Sequence, residues 1–206
     1  MPIQFDYIQQ FLNDSDVEGP RRTEAYVPAR PGNFYGRPSQ VPPSMYTAIG
    51  ASGVTVATGC DWGQTDAQTL KAYGVSSSTI ETLRLYLGAK KAAAIALLAQ
   101  HPITISDAMA AELDNAIHGG YLRKYVIPAF EKASSVSFES LPKQAQAVIM
   151  SVCFQKGCGG VRRDWPKLWG YLTACNWPAA ANELRTGFSE YTVRRRREGA
   201  LLAELC

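Results

Sequence analysis

The chain contains 206 residues, of which 46% are hydrophobic and 19% are charged, and its formal net charge is +3. This usage is typical of one globular domain, and no stretch approaches the ~18 uncharged apolar residues of a membrane span. The small positive charge permits an acidic polymer as partner without implying nucleic acid, and the opening sequence MPIQFDYIQQF lacks the order of a signal peptide. We therefore expect a protein without membrane insertion.

The predicted elements change in character at about residue 65. Phe5, Ile8, Phe11 and Leu12 recur at helical spacing and predict an amphipathic helix over residues 4–13. Prolines and glycines then punctuate the chain and predict turns, loops and short strands. Helical patterns follow over 66–73, 78–87, 89–100, 106–131, 138–156, 165–175, 178–186 and 188–205. The sequence thus predicts an α+β, mostly helical fold, with a small lobe over 1–65 and a helical lobe over 66–206.

Serines mark several predicted helix starts. Ser78 precedes Glu81 by three residues, which is the spacing of a capping box. Ser106 and Ser137 stand before two of the longer helical patterns and are candidate N-caps.

The cysteines and histidines give no pattern typical of a metal site. The five cysteines form no CxxC pair, and neither His101 nor His118 has ligands at metal-binding spacing in the sequence. We interpret the thiols as buried or free, with at least one unpaired, and both histidines as structural. No metal and no cofactor is predicted.

Carboxylates have an uneven distribution in the small lobe. No Asp or Glu occurs from Ala25 to Cys60, and Glu18, Glu24 and Asp61 flank this gap. Two carboxyls, one protonated and one ionised, are what glycoside hydrolysis requires. An isolated loop carboxylate is more often a turn residue or a cap, so Asp61 could equally cap the next helix. Thr55 and Thr58 stand in a run rich in β-branched residues, which is equally typical of a strand.

The string SGVTVATGCDWGQ, residues 52–64, resembles the signature of pesticin-type lysozymes, the bacteriocin and phage branch of the phage-lysozyme superfamily. Glu18-Gly19 resembles the Glu-Gly of that family, and Ala25-Tyr26-Val27-Pro28 resembles its Gly-Tyr-Val-Pro. LPKQAQAVIMSVCFQKG (141–157) is similar to its long core helix, and YTVRRRREGALL (191–202) to its closing helix. The resemblance covers nearly the whole chain and implies one lysozyme-like domain over 1–206.

This resemblance also implies three catalytic residues. Glu18 matches the general acid, and Thr55 and Asp61 match the threonine and aspartate that hold the attacking water. Glu24 is an alternative acid. We prefer Glu18, because a carboxyl at the C-terminal end of a helix faces carbonyl dipoles that favour its protonated form. The segment from Ala29 to Ala51 is long for the family and is a candidate substrate-covering loop.

The function that the resemblance implies is that of a muramidase. Such an enzyme cleaves the β-1,4 bond between N-acetylmuramic acid and N-acetylglucosamine in peptidoglycan, here with a positioned water and therefore with inversion. The alternative is a catalytically silent lysozyme-like binding or structural module. We expect a monomer that acts in the bacterial periplasm or cell wall and is made without a signal peptide. An immunity protein is a possible partner, and a phage endolysin, a secreted effector and a bacteriocin domain all fit.

The run Arg194 to Arg197 resembles a basic patch. Four consecutive residues of a helix point around the cylinder, however, and do not form one charged face. We interpret these arginines as core-facing stems with solvated heads, and nucleic acid is not an expected partner.

Overall fold

The computed structural model describes residues 2–39 and 42–206, and the chain divides into two compact units. One unit, Pro20–Gly120, contains all the strands found among these described residues and is called the β-containing unit. The other, the helical unit, combines the residues up to Gly19 with Tyr121–Cys206. The predicted α+β, mostly helical fold class is confirmed, whereas the division into lobes at residue 65 stays a prediction. Within the described residues, no helix is both long enough and apolar enough to cross a membrane.

The β-containing unit holds two small antiparallel sheets. The first contains β1 (Arg22–Tyr26), β4 (Thr55–Ala57) and β5 (Cys60–Asp61), in the order β1-β4-β5. The second pairs β2 (Ala29–Arg30) with β3 (Thr47–Ala48), at the two ends of the long segment in which a covering loop is predicted. Residues 40 and 41 of that segment lie outside the described residues, and its role stays a prediction.

Four helices complete this unit: α2 (Ala67–Ala72), α3 (Ser77–Leu83), α4 (Lys91–Gln100) and α5 (Asp107–Tyr121). They enclose a core shared with the sheet, which includes the fully buried side chains of Val54, Val56, Trp62, Leu70, Leu83, Leu98 and Leu113. The predicted cap at Ser106 is confirmed, since its Oγ accepts a hydrogen bond from the Met109 backbone at 3.2 Å. The predicted cap at Ser78 is wrong, because Ser76 caps α3 through the backbone N–H of Thr79.

The helical unit is built around one buried helix. It contains α1 (Phe5–Leu12), α6 (Ile127–Glu131), α7 (Lys143–Lys156), α8 (Cys158–Asp164), α9 (Pro166–Thr173), α10 (Trp177–Thr186) and α11 (Thr192–Ala203). A π-helical turn, Leu122–Val126, joins α5 to α6. Every residue of α7 from Ala145 to Cys153 is buried, as expected for a helix with neighbours on all sides. Helices α1, α8 and α11 pack against it.

Several helix boundaries differ from the predicted ones for local reasons. Pro142 separates a 3₁₀ turn at Phe138–Ser140 from α7, so the pattern over 138–156 is not one helix. Ser137 makes no side-chain cap. Helix α11 begins only at Thr192, because Tyr191 has a left-handed backbone (φ 54°) that no right-handed helix can contain.

Candidate active site

Thr55 and Asp61 are direct neighbours in the hairpin formed by β4 and β5. The two residues are cross-strand partners, as are Val56 and Cys60 behind them. Residues directly opposite each other on antiparallel strands project from the same face, with Cβ atoms about 4.5–5.5 Å apart. The hairpin therefore converts the six-residue spacing of Thr55 and Asp61 into lateral contact.

The Asp61 carboxylate is held by neutral N–H groups. Its Oδ1 accepts from the backbone N–H of Gly63 at 2.8 Å and from that of Gly53 at 3.0 Å. Its Oδ2 lies 3.1 Å from the Gly53 nitrogen and 3.5 Å from Gln64 Nε2. Burial raises the pKa of Asp61 above its ordinary value of 3.8, while these hydrogen bonds and Lys90 act in the opposite direction. The bond to Gly63 also caps the turn Trp62–Gln64, so Asp61 is a cap as well as a site candidate.

Gly53 and Gly63 are needed for this arrangement. A Cβ atom on Gly53 would lie 2.6 Å from Asp61 Oδ1 and 2.5 Å from the Cα of Gly63. A Cβ atom on Gly63 would lie 2.8 Å from the Cα of Gly53. Only glycine allows the two backbones to approach closely enough for both N–H groups to reach Asp61. Residues 52–64 thus form a turn whose backbone N–H groups hold the side-chain carboxylate of Asp61 in place.

Thr55 is buried, with 3% of the residue exposed. Its hydroxyl donates to the backbone carbonyl of Gly53 at 3.3 Å. A hydroxyl has one proton and two lone pairs, so this bond leaves Thr55 Oγ with acceptor capacity beside the Asp61 carboxylate.

Glu18 belongs to the helical unit and follows α1 by several residues. Helix α1 ends at Leu12, and a series of turns leads to Glu18, whose backbone N–H donates to the Leu12 carbonyl at 3.2 Å. Glu18 therefore does not lie at the C-terminal end of a helix, and the predicted effect of helix carbonyl dipoles on it is wrong. Its carboxylate instead accepts a hydrogen bond of 2.5 Å from Arg194 Nη1, and only 18% of the Glu18 side chain is exposed.

The interpretation of the arginine run as solvated heads is also wrong for its first two members. Arg194 is 6% exposed and Arg195 is 1% exposed. The Arg195 guanidinium lies 5.0 Å from the ring centre of Trp165 and forms an ion pair with Glu198. Sequence reasoning missed Arg194 as a site residue, because no spacing rule links it to a glutamate 176 residues earlier.

Glu18 lines a cavity of about 610 Å³ within the helical unit. The cavity is lined by Ser15, Asp16, Val17, Glu18, Gln155, Tyr191, Thr192, Val193 and Arg194. A second cavity of about 400 Å³ shares Gln155 and Tyr191 with it and also contains Trp165 and Phe188. The proton-donor candidate is therefore accessible to a ligand, although its carboxylate is mostly covered.

Glu24, the alternative acid, lies on β1 and is paired with Arg37. Arg37 Nε is 2.5 Å from Glu24 Oε1, and Arg37 Nη2 contacts Oε2. The hydrogen bond from Arg37 is the main cause that holds the pKa of Glu24 below its ordinary value of 4.5. Glu24 is thus paired with an arginine, as Glu18 is, but the Glu24–Arg37 pair is more exposed, with 34% and 54% of the two side chains accessible.

Thr55 and Asp61 are thus brought together in the β-containing unit, whereas Glu18 belongs to the helical unit.

A group of potential metal ligands that the sequence analysis missed also lies in the β-containing unit. The ligand atoms of Cys60, Asp114 and His118, all buried, are within 4.8 Å of one another. Asp114 already accepts hydrogen bonds from the Thr58 backbone at 2.8 Å and from Arg21 Nε at 2.7 Å. His118 Nε2 lies 3.0 Å from the Thr58 carbonyl. These bonds tie the hairpin turn to α5, which is a structural role.

Comparison with known protein families gives a match over most of the chain. The family described as "Pesticin: Bacterial toxin homologue of phage lysozyme, C-term" matches residues 7–178. That range includes all three predicted catalytic residues and ends before Arg194. No curated protein matches the sequence at a significant level.

Proposed function

Because the chain belongs to the Pesticin family of phage-lysozyme homologues, we propose that it is a muramidase that cleaves the β-1,4 bond between N-acetylmuramic acid and N-acetylglucosamine. The family suggests a muramidase-type glycoside hydrolase and implies peptidoglycan as substrate. The observation that carries the proposal is the cross-strand pair of Thr55 and Asp61.

The pair is suited to hold a water molecule. Thr55 Oγ donates its own proton to the Gly53 carbonyl, so it can accept a hydrogen bond from one O–H of the water. The Asp61 carboxylate accepts from the other O–H and takes that proton as the water attacks. Burial raises the pKa of Asp61, which makes its ionised form a stronger base than an exposed aspartate.

Glu18 supplies the complementary step. Its carboxyl donates a proton to the glycosidic oxygen as the bond to the anomeric carbon breaks, while the water held by Thr55 and Asp61 adds to that carbon. The leaving sugar departs as an alcohol and Asp61 holds the proton from the water. Direct attack by water gives inversion, whereas a covalent bond from Asp61 to the sugar would give retention.

We also propose a place of action and an oligomeric state. Peptidoglycan lies in the periplasm or the cell wall, so the protein acts there, and one chain supplies all three groups, so a monomer suffices. We propose as a partner an immunity protein that covers the cavity at Glu18.

The test is the release of new glycan ends from purified, protein-free peptidoglycan. After borohydride reduction and digestion, mass spectrometry should show muramitol at the new ends, which is the mark of a muramidase. Glucosaminitol at the new ends would instead indicate a glucosaminidase. Released peptides with a new N-terminal amino group, without new glycan ends, would indicate an amidase. The Glu18→Gln protein, purified in parallel, controls for contaminating hydrolases, and EDTA should leave the rate unchanged.

A further inference from the structure

Arg194 uses all five of its N–H groups inside the helical unit. Its Nη1 donates to Glu18 Oε1 at 2.5 Å and to the Val17 carbonyl at 3.4 Å. Its Nη2 donates to both the backbone and the side-chain oxygen of Ser151, each at 2.9 Å, and its Nε donates to Glu198 Oε1 at 3.2 Å. A guanidinium has five donors in one rigid plane. Arg194 therefore cannot turn away from Glu18 without losing other bonds.

Glu198 is the acidic residue beneath this guanidinium. It is completely buried, one helical turn after Arg194 on the same face of α11. Its Oε1 also accepts a 2.5 Å bond from Ser151 Oγ, and its Oε2 lies 2.9 Å from Arg195 Nη1. Burial raises the pKa of Glu198, and the two arginines act against that rise. Arg194 and Ser151 thus hydrogen-bond to Oε1, whereas Oε2 and Arg195 Nη1 form an ion pair without a hydrogen bond within the described residues.

The charges in this cluster are balanced. Two arginines, Arg194 and Arg195, face two carboxyls, Glu18 and Glu198. Burial lowers the pKa of Arg195 only to about 10, so it stays charged at neutral pH. A proton donor must carry its proton before the reaction. When Glu18 does so, Glu198 is the remaining negative charge beside both guanidinium groups.

We propose that Glu198 is a positioning residue for the proton donor: it fixes the Arg194 guanidinium and offsets its charge, so that Arg194 can orient Glu18 without enforcing its ionised form. Glu198 acts only through Arg194 and does not touch the substrate. The inference rests on the proposed role of Glu18 as general acid.

Other ionisable groups act around this cluster. The cavity at Glu18 also contains Asp16 and Tyr191, and the charges of Glu18 and Tyr191 act on Arg195. The groups that act on Glu198 itself are Arg194, Arg195 and Ser151. Replacement of Glu198 by a neutral residue therefore leaves both arginines to act on Glu18 without a second carboxylate.

The variant Glu198→Gln tests this role, because it keeps the shape of the side chain and an oxygen for Ser151 and Arg194 but removes the charge. We expect kcat on peptidoglycan to fall about 10-fold while KM changes little, since Glu198 is completely buried and offers no surface to a substrate. The alkaline limb of the pH–rate profile should move to lower pH by about one unit, because Glu18 then faces uncompensated positive charge. Loss of folded protein alone would lower the rate without moving that limb.

Two further variants separate charge from structure. Glu198→Asp keeps the charge, so its alkaline limb should stay at the wild-type pH even if kcat falls, and an equal shift in Asp and Gln variants would refute the charge argument. Glu112→Gln is the matched control. Glu112 accepts hydrogen bonds from the Ser76 backbone and from Thr79 Oγ in the β-containing unit, and its loss should leave the pH profile unchanged.

A measurement without turnover separates this inference from the proposed function. The ¹³C resonance of the Glu18 side chain, followed against pH, should titrate at lower pH in Glu198→Gln than in the wild type. That shift, in a protein that releases no glycan ends, would refute the muramidase proposal but support the coupling of Glu198 to Glu18. Identical Glu18 titrations in the two proteins would overturn the inference, whatever the activity.

Discussion

The substitution Glu18→Gln separates proton donation from the structural contacts of the same side chain. Glutamine keeps the size of glutamate and an oxygen that can accept from Arg194, but it cannot donate a proton as an acid. General acid catalysis contributes at least about 10²-fold to such reactions. We therefore expect the rate on peptidoglycan to fall by 10²-fold or more, which corresponds to about 2.7 kcal/mol of activation free energy.

The cost of Glu18→Gln in stability follows from its contact with Arg194. The contact is 2.5 Å long, and the side chains of Glu18 and Arg194 are 18% and 7% exposed. A hydrogen bond to a charged group contributes ~1.5–3 kcal/mol to the free energy of unfolding. The amide oxygen of the introduced glutamine keeps part of this contribution, so we expect the free energy of unfolding to fall by about 1–2 kcal/mol. At about 2–4 °C for each kcal/mol in a chain of this size, the melting temperature should fall by roughly 2–8 °C. The variant should stay folded in an assay at 25 °C.

The matched control is Glu24→Gln. Glu24 is also paired with an arginine, Arg37, but the side chains of this pair are 34% and 54% exposed. An exposed ion pair contributes about 0–1 kcal/mol, so the melting temperature should change little. Both variants and the wild type are compared by thermal unfolding and by initial rates on purified peptidoglycan. If Glu24→Gln loses more activity than Glu18→Gln while both remain folded, the assignment of the proton donor is wrong.

Three further predictions concern the Asp61 turn. The pKa of Asp61 is higher in the folded protein than its ordinary value of 3.8, so its contribution to the free energy of unfolding is complete below that pH and is lost as pH rises through the folded value. Asp61→Asn should therefore make the free energy of unfolding, measured in urea, less dependent on pH over this range. An unchanged pH dependence would contradict the prediction. Gly53→Ala should lower the free energy of unfolding by about 1–3 kcal/mol through overpacking, whereas Gly159→Ala, with no atom within 4 Å of the added carbon, should not destabilise. Proton NMR at early times should show the α-anomer first, and an initial β-anomer would refute the water-holding role of Thr55 and Asp61.

The sequence was sufficient for those features that depend on local pattern. Periodicity predicted α1 and most of the later helices, because each has apolar residues on a face that the core then buries. The strand that carries Thr55 was predictable from its own residues, since threonines in a β-branched run are a local signal, whereas its pairing with β5 was not predicted. Helix α8 was missed because CGGVRRD contains two glycines and little apolar periodicity.

The contacts of Glu18 could not be predicted in this way. They depend on α1, α7 and α11 meeting in one core, so Glu18, Ser151 and Arg194 come from three distant parts of the chain. The arginine run was misinterpreted for the same reason: composition cannot distinguish a buried guanidinium from a solvated one. The grouping of Cys60 with Asp114 likewise depends on the hairpin turn reaching α5.

The environments of two carboxylates argue for different tasks. Glu24 is paired with the full positive charge of Arg37, whose hydrogen bond lowers the pKa of Glu24 and makes its carboxylate a weaker base than an unpaired one. Asp61 is held by N–H dipoles of Gly53 and Gly63, which fix its position without the full charge of an ion pair. Burial can then raise the pKa of Asp61, and a carboxylate that is fixed in place but still basic is what the activation of a water requires. This difference favours the Asp61 turn as the water-binding part of the site.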